Sequence, residues 1–276
     1  MNDEHIEAFM TEEMFIEKIS PLLASQEFIG WNLENKVFAI SHNLNDNERD
    51  LFYELFKQYS IIKLDRYVSL FFSLLQKLES NIPSEIKRLF FLPIIDIENP
   101  NKQKSGHFLF SFLDSLEFNQ KSLFQNQKIS LEIEIQKAKQ TDVFVFIDDF
   151  IGSGNQALAH IQFKIQKYKL KPNQVYIICF AIMSVGYELL TQLGFNIVYI
   201  YKYNKSISEN MNTPLRDKYL EILDSMEQRF NVPEDYQRGY GKCEGVISLK
   251  KTPNNTLPIF WYDSFSKKPI FPRKKK

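Results

Sequence analysis

Two adjacent carboxylates and a glycine-rich turn stand together in the middle of the chain. Asp148 and Asp149 follow the apolar run 143–147, whose β-branched and aromatic residues predict a buried strand of a parallel sheet. The turn 152–154 (Gly-Ser-Gly) leads to Asn155, which can cap a following helix. Ligands of open α/β sheets bind beyond the carboxyl ends of strands, and a helix N-terminus favours an anion such as phosphate. Carboxylates beside a phosphate cradle suit a ligand with sugar hydroxyls or a developing positive charge, and a ribose 5-phosphate meets both demands.

The same residues fit two alternatives to a ribose phosphate site. An ordinary strand-to-helix connection also uses acids, a Gly-Ser-Gly turn and a capping residue, here Ser153 or Asn155. Paired acids at the end of a strand also occur in magnesium sites of nucleotide triphosphatases and phosphatases. No GxxxxGK[ST] loop precedes the strand, which argues against a nucleotide triphosphatase.

The segment 143–157 resembles the phosphoribosyl-diphosphate signature of type I phosphoribosyltransferases, a hydrophobic strand followed by two acids and a phosphate loop. The resemblance implies that Asp148 and Asp149 are catalytic residues that hold the 2- and 3-hydroxyls of the ribose. Gly152 and Ser153 stand where two threonines are usual. The residues implied to bind the ribose 5-phosphate are Phe150, Ile151, Gly152, Ser153, Gly154, Asn155 and Gln156. The last of them departs from the family, which commonly has a small hydroxyl residue there.

A second resemblance lies in the C-terminal part of the chain. The patterns GYG at 239–241, TPNNTLPIFWY at 252–262 and PIFPR at 269–273 look like those of the PRTase-CE family. That family comprises phosphoribosyltransferase-like proteins encoded with bacterial anti-phage systems, including some retrons. The resemblance implies that the chain is an effector of such a system.

The resemblance also implies a place for the pyrophosphate and its metal. Type I phosphoribosyltransferases bind pyrophosphate through amides that follow the first core strand. The matching stretch here, 96–106, ends in Lys104, Ser105 and Gly106, which could neutralise and approach the pyrophosphate. A solvated lysine in a polar loop is the equally weighted alternative. The implied cofactor is Mg²⁺, carried by the pyrophosphate with no direct protein ligand.

Composition limits the class of protein. The chain has 276 residues, 44% of them hydrophobic and 25% charged, so it can bury a sizeable core and is not a disordered chain. Its formal net charge is zero, so no global field recruits nucleic acid or a membrane. Basic residues crowd the C-terminal tail, which is either a solvated terminus or a contact for nucleic acid or a partner. These residues are Lys267, Lys268, Arg273, Lys274, Lys275 and Lys276.

Cysteine and histidine usage favours no metal site. Cys179 and Cys243 are the two cysteines, and without a CxxC pattern they support neither a zinc site nor a disulfide framework. We expect a cytoplasmic protein without a membrane span, because neither a signal peptide nor an apolar stretch of spanning length is visible. We expect His107 to cap or pack and see no catalytic constellation around His5, His42 or His160.

The pattern of apolar residues divides the chain into three regions. Residues 1–88 show helical stripes and predict a cap or docking region, including a third stripe of Val68, Phe71, Phe72, Leu75 and Leu78. Residues 89–201 alternate strand and helix, which predicts an α/β fold with a parallel sheet. The resemblance to type I phosphoribosyltransferases implies that residues 202–276 form the hood and the final core strand, followed by the basic tail.

Three features of these regions have more than one structural interpretation. Pro93, inside the first predicted core strand 89–95, indicates an edge position, a bulge or an early end of the strand. The polar stretch 118–141 is either the mobile lid of the family or a plain surface connection. In the hood, Phe260, Trp261 and Tyr262 could stack on a base, and a buried aromatic cluster is an equal alternative.

Three functions of different classes follow. The first is an active phosphoribosyltransferase that uses phosphoribosyl diphosphate or a nucleotide, acting as a defence effector. The second is a non-catalytic sensor of a nucleotide or phosphorylated ribose. The third is a scaffold whose helical region and basic tail dock a partner, such as a reverse transcriptase–RNA complex or another defence protein. A homo-oligomer built through the apolar helices is left open.

Overall fold

The computed structural model describes residues 10–25, 28, 31–97, 105–115, 123–130 and 138–273. Its helices are α1 (Glu12–Leu23), α2 (Glu34–Ser41), α3 (Asp46–Lys57), α4 (Tyr67–Asn81), α5 (Ser105–Ser115), α6 (Asn155–Tyr168), α7 (Ser184–Gln192) and α8 (Thr213–Arg229). Its strands are β1 (Ser60–Ile61), β2 (Arg88–Pro93), β3 (Lys128–Ser130), β4 (Asp142–Ile151), β5 (Val175–Met183), β6 (Asn196–Tyr203) and β7 (Ile247–Ser248). Two compact units result: the sheet unit, 63–204, and the helical unit, 1–62 with 205–276.

The sheet unit is built on five parallel strands in the order β3-β2-β4-β5-β6. This arrangement confirms the predicted α/β class. All nine residues of β5 are buried, because helices cover both faces of a parallel sheet. The same double burial explains why the sequences of β4 and β5 read as continuous apolar runs rather than alternating ones. No helix among the described residues is long and apolar enough to cross a bilayer.

The central strand β4 extends further than its sequence predicts. The apolar run ends at Ile147, yet pairing with β5 continues to Ile151, which lies opposite Ile182. Pairing with β2 stops earlier, at Pro93 opposite Ile147. The two acids therefore lie inside β4, on a stretch that pairs with β5 but has lost β2. The extension occurs because β5 is long enough to offer partners beyond the point where β2 ends.

Helices pack on both faces of this sheet. Phe144 and Phe146 share one face with Ile161 and Tyr168 of α6, and the rings of Phe144 and Tyr168 stack with centroids 5.8 Å apart. Alternate residues of each strand point to the other face. There the Tyr67 ring of α4 meets Phe180 edge-on at 4.9 Å. Helix α5 joins the same layer, because its Phe108 lies 6.0 Å from Tyr67.

Helix α4 buries three residues of the third predicted stripe, Phe71, Leu75 and Leu78, and exposes the other two. Val68 and Phe72, which the stripe placed in the core, are 46% and 39% exposed. The residues that α4 buries are Tyr67, Leu70, Phe71, Leu74, Leu75 and Leu78. The prediction is wrong for Val68 and Phe72 only, and Tyr67, Leu70 and Leu74 complete the buried face with the same three-to-four spacing.

Pro93 in β2 raised three expectations: an edge position, a bulge or an early end of the strand. Pro93 is the last residue of β2, so the early end is confirmed. Strand β2 is not an edge strand over Arg88–Phe90, where β3 pairs with it on the side away from β4. Strand β3 lies in the stretch 118–141. The two interpretations of that stretch, a mobile lid and a plain surface connection, do not include a strand. Leu123 and Phe124 of the same stretch are buried.

The helical unit has its own core, which joins the two ends of the chain. Phe52 and Phe56 of α3 pack with Phe260, and Tyr59 stacks on Phe271 at 4.4 Å. Strands β1 and β7 pair in parallel in the same unit. The observed division therefore differs from the predicted regions 1–88, 89–201 and 202–276: residues 63–88 belong to the sheet unit. The apolar faces of α1–α3 are covered by the C-terminal segment, which is far away in sequence.

A buried acid in the helical unit holds an unusual loop. Five residues of 238–244 have positive φ, three of them not glycine. Arg238 anchors this loop: its side chain pairs with Asp224, and its backbone N–H donates to Glu227 Oε2 at 2.8 Å. Glu227 is fully buried, and burial raises its pKa to about 8.

Glu227→Gln should flatten the dependence of stability on pH. The folded chain holds the Glu227 proton up to about pH 8, whereas the unfolded chain releases it near 4.5. The folded state thus binds one more proton between these values, so stability falls as pH rises through this window, by up to about tenfold in the folding constant per pH unit. Glutamine keeps an acceptor for Arg238 without titrating.

Urea unfolding between pH 5 and 8 measures this effect. The matched control is Glu221→Gln, an exposed residue on the same helix, which should follow the unmodified protein. Equal pH slopes for the unmodified protein and Glu227→Gln would contradict the assignment.

Candidate active site

Asp148 and Asp149 form the centre of the site, and both are buried, with 7% and 6% of their surface exposed. Ser105 at the start of α5 donates its hydroxyl to Asp148 Oδ1 at 2.6 Å. The same oxygen accepts the backbone N–H of Asp149 at 2.9 Å. The Asp148 carboxylate is therefore held by a neighbouring helix and by its own strand.

The Asp149 carboxylate leaves the strand on the α4 and α5 side. Tyr67 donates its hydroxyl to Asp149 Oδ2 at 2.9 Å. Burial raises the pKa of Asp149, and the hydrogen bond from Tyr67 opposes that rise. Without this hydroxyl, the ionised form would be costlier still, because a buried carboxylate needs compensating donors.

Tyr67 is a site residue that the sequence pattern did not predict. It lies in the region assigned to a cap, 82 positions before Asp149 in the chain. One signal could have found it: Tyr67 continues the spacing of Phe71, Leu74 and Leu78 on the buried face of α4. A tyrosine on such a face needs a partner for its hydroxyl, and a strand-end carboxylate is a suitable one.

The predicted phosphate loop connects β4 to α6. Gly152, Ser153 and Gly154 are buried, whereas Asn155 and Gln156 are exposed. The expected cap at Asn155 is wrong, because Asn155 is the first helical residue and Gly154, with φ +82°, occupies the capping position. Glycine has no side chain to offer, so the capping residue itself makes no side-chain hydrogen bond to the first amides of α6. Ile151 and Phe150 end the strand, the first of them buried.

Gly186 supports the phosphate loop from behind. A methyl group on Gly186 of α7 would overlap the carbonyl oxygen of Gly152 and come within 3.2 Å of the Gly154 nitrogen. Helix α7 thus packs directly against the backbone of the loop. Only glycine allows this approach.

The structure describes two of the three residues predicted to bind pyrophosphate, Ser105 and Gly106. Lys104 lies outside the described residues. Ser105 contacts Asp148 as described above, and Gly106 packs closely, since a methyl there would lie 2.6 Å from the Ile147 carbonyl oxygen. His107 follows on the first turn of α5. Close helix–strand packing is thus an observed role of Gly106.

The aromatic residues predicted to stack on a base belong to the helical unit. Phe260 and Trp261 are buried, and Trp261 donates its indole N–H to the Thr256 carbonyl at 2.7 Å. Tyr262 is half-buried and meets Trp261 edge-on. They form the aromatic cluster that the sequence left open as an alternative.

Among the described ranges, no group of three or more histidine, cysteine or acidic side chains is arranged to hold a metal. Cys179 lies opposite Asp148 on β5, and burial, together with the two nearby acids, raises the pKa of its thiol well above the usual value. It is therefore an unreactive core residue. Cys243 is also a buried free thiol.

A comparison with protein families shows to which family the chain belongs. The sequence profile of the PRTase-CE family matches residues 31–273. The chain belongs to the PRTase-CE family. No curated protein matches this PRTase-CE chain in sequence.

Solved structures with a similar path are phosphoribosyltransferases. The orotate phosphoribosyltransferase of Aeropyrum pernix is 15% identical, with 50% of this chain and 71% of that one covered and a TM-score of 0.32. An APRTase of Giardia lamblia, solved with 9-deazaadenine, is 15% identical over 50% and 83%, with a TM-score of 0.33. The xanthine-guanine-hypoxanthine phosphoribosyltransferase of Helicobacter pylori is 13% identical over 52% and 83%, with a TM-score of 0.27.

Tyr67→Phe should raise the pKa of Asp149 further. The substitution removes a hydroxyl that stabilises the charged carboxylate while it keeps the ring packed on Phe180. Carbon-13 NMR titration of labelled aspartate measures the shift. Tyr176→Phe is the matched control, since that hydroxyl donates to the backbone carbonyl of Asn81 instead. An unchanged Asp149 titration in Tyr67→Phe would refute the proposed coupling.

Gly186→Ala should destabilise the sheet unit. The added methyl must displace the backbone of 152–154 or shift α7, and overpacking of this kind costs about 2 kcal/mol. Denaturant unfolding measures the loss. Gln192→Ala, at an exposed position of the same helix, serves as the control and should be nearly neutral. A Gly186→Ala protein as stable as the control would show that α7 and the loop are not tightly packed.

Proposed function

We propose that this PRTase-CE protein binds phosphoribosyl diphosphate, or a related ribose 5-phosphate, and transfers or cleaves at its anomeric carbon. The observation that carries the proposal is the arrangement at the end of β4. Two buried carboxylates there lie one short loop away from a helix N-terminus whose capping residue is a glycine. Membership of the PRTase-CE family supports the same class of substrate.

The phosphate end of the substrate would bind at the loop 152–154 and the first turn of α6. Backbone N–H groups at a helix N-terminus carry a partial positive charge and point toward an anion. The left-handed Gly154 turns the chain so that the helix begins directly after the loop. Phe150 through Gln156 are the residues that we assign to this end of the site.

The ribose would lie next to the two acids. As the bond to pyrophosphate breaks, positive charge develops on the sugar ring, and Asp148 and Asp149 would stabilise it without having to reorient. Ser105 and Tyr67 hold the two carboxylates in place. A developing cation also favours the ionised form of Asp149, which opposes the effect of burial on its pKa.

The chemical step follows from these positions. The bond between the anomeric carbon and the pyrophosphate oxygen breaks, and the pyrophosphate keeps the electron pair. A nitrogen nucleophile, or water in a cleavage reaction, forms the new bond to the same carbon and loses a proton. Magnesium belongs to the substrate, because it arrives with the pyrophosphate and neutralises the leaving group. Lys104, Ser105 and Gly106 are our candidates for the pyrophosphate side.

A sensor that binds without catalysis is the second candidate. One observation favours it: both carboxylates already accept hydrogen bonds from side-chain hydroxyls and are more than nine-tenths buried. Such a pocket would bind a nucleotide or a phosphorylated ribose and report its level.

The wider role that we propose is that of a cytoplasmic effector in a bacterial anti-phage system of the retron type. This role rests on the family to which the chain belongs. A reverse transcriptase–RNA complex or another defence protein would be its partner. The helical unit, whose core is independent of the sheet, offers a surface for such a partner.

Calorimetric titration with phosphoribosyl diphosphate and magnesium tests the binding step. Micromolar binding is expected, and its absence would rule out both the enzyme and the sensor for this ligand. Pyrophosphate release against a panel of bases and nucleotides then separates the enzyme from the sensor.

Asp148→Asn combined with Asp149→Asn should abolish activity and leave the fold intact. Loss of one preorganised charge typically costs about 100-fold in rate, and the double variant loses both. Asparagine keeps an acceptor for Ser105 and Tyr67, and it removes a carboxylate that burial disfavours, so unfolding should occur at the same or a higher temperature. Asp217→Asn, at an exposed position of α8, is the control. Parental activity in the double variant would end the catalytic assignment.

A further inference from the structure

His160 of α6 is a buried polar side chain that the proposed mechanism does not use. Only 1% of its surface is exposed. Its Nδ1 accepts the backbone N–H of Ile95 at 3.4 Å, and its ring meets Phe146 edge-on at 5.6 Å. His160 thus touches both the exit of β2 and the central strand, two residues before Asp148.

The chemistry of this contact requires a neutral imidazole. A nitrogen that accepts a hydrogen bond carries no proton, so the proton of His160 is on Nε2. Burial, together with the charges of Lys164 and His107, lowers the pKa of His160 to about 4. Across the described part of the chain, Nε2 has no hydrogen-bond partner. The protein thus keeps a costly polar group here for the bond at Nδ1.

The contact lies where the sheet opens beside the acids. Ile94 still donates to the Ile147 carbonyl of β4 at 2.9 Å. The following N–H, that of Ile95, points away from β4 because successive strand residues face opposite edges, and it donates to His160 Nδ1. Because strand groups repeat every two residues, the Asp149 amide faces the same side as the Ile147 carbonyl, and it bonds to Asp148 Oδ1 rather than to β2.

We propose that His160 is a positioning residue of the phosphoribosyl site, which holds Ile95 where the chain leaves β2 and so fixes the start of the segment that we assign to the pyrophosphate. The inference rests on the proposed function. It assigns His160 to the pyrophosphate end of the substrate, whereas Asp148, Asp149 and the loop 152–154 serve the ribose and the 5-phosphate.

Three variants at this position separate the Nδ1 contact from simple packing. In His160→Asn, the amide oxygen can take the place of Nδ1 and accept from Ile95. In His160→Gln, it falls near Nε2 and cannot. His160→Phe keeps the ring on Phe146 but offers no acceptor. His42→Phe, in the helical unit, is the control.

Calorimetry with two probes measures the effect. For Phe and Gln, we expect magnesium phosphoribosyl diphosphate to bind about tenfold more weakly, the value of one lost hydrogen bond. Ribose 5-phosphate, which lacks the pyrophosphate, should bind within about twofold of the unmodified protein. Asn should restore the binding of phosphoribosyl diphosphate. Should the Phe variant fail to fold, the comparison of Asn with Gln decides.

The outcomes distinguish this inference from the proposed function. Equal weakening of both probes would indicate a general packing defect and overturn the inference, as would parental affinity for both probes in the Gln and Phe variants. If the unmodified protein binds neither probe, the proposed function itself fails, and the inference falls with it.

Discussion

The burial of two adjacent carboxylates inside a central strand constrains the whole sheet unit. Pairing with β5 carries β4 through Asp148 and Asp149, so these acids are enclosed by the sheet and by helices on both faces. A buried carboxylate is tolerated only with donors close to it. The chain meets this demand with hydroxyls from two separate helices, Ser105 of α5 and Tyr67 of α4. Both helices must therefore dock correctly before the site exists.

The unequal lengths of the neighbouring strands leave β4 without its β2 partner beside the acids. Strand β2 ends at Pro93, which cannot donate to a ladder, while β5 continues to Met183. One side of β4 is thus paired and rigid, and the other has lost its partner strand just where the carboxylates lie. The same edge carries the turn into α6, supported from behind by Gly186. A rigid floor with an open side suits a site that must hold a ligand against fixed charges.

The helical unit is held together by a separate core of its own. Its core joins α1–α3 to the segment around Phe260 and Phe271, so the two ends of the chain fold as one body. The loop 238–244 carries backbone strain at Arg238, Lys242 and Glu244, and such strain persists only where the surroundings enforce it. Two acids of α8, the buried Glu227 and the partly exposed Asp224, provide that enforcement through Arg238.

The sequence by itself determined the class of the fold and the place of the acids. Continuous apolar runs at 143–147 and 175–182 are typical of strands buried on both faces, and the order of acids, glycines and helix is a local pattern. Tertiary structure decided what depends on distant partners. Strand β4 runs past its apolar run because β5 is there to pair with it, and Tyr67 meets Asp149 because α4 lies across the sheet. The aromatic residues 260–262 show the same dependence on distant partners. Their spacing suits both a surface that stacks on a base and a buried core, and packing against the N-terminal helices makes them part of a core.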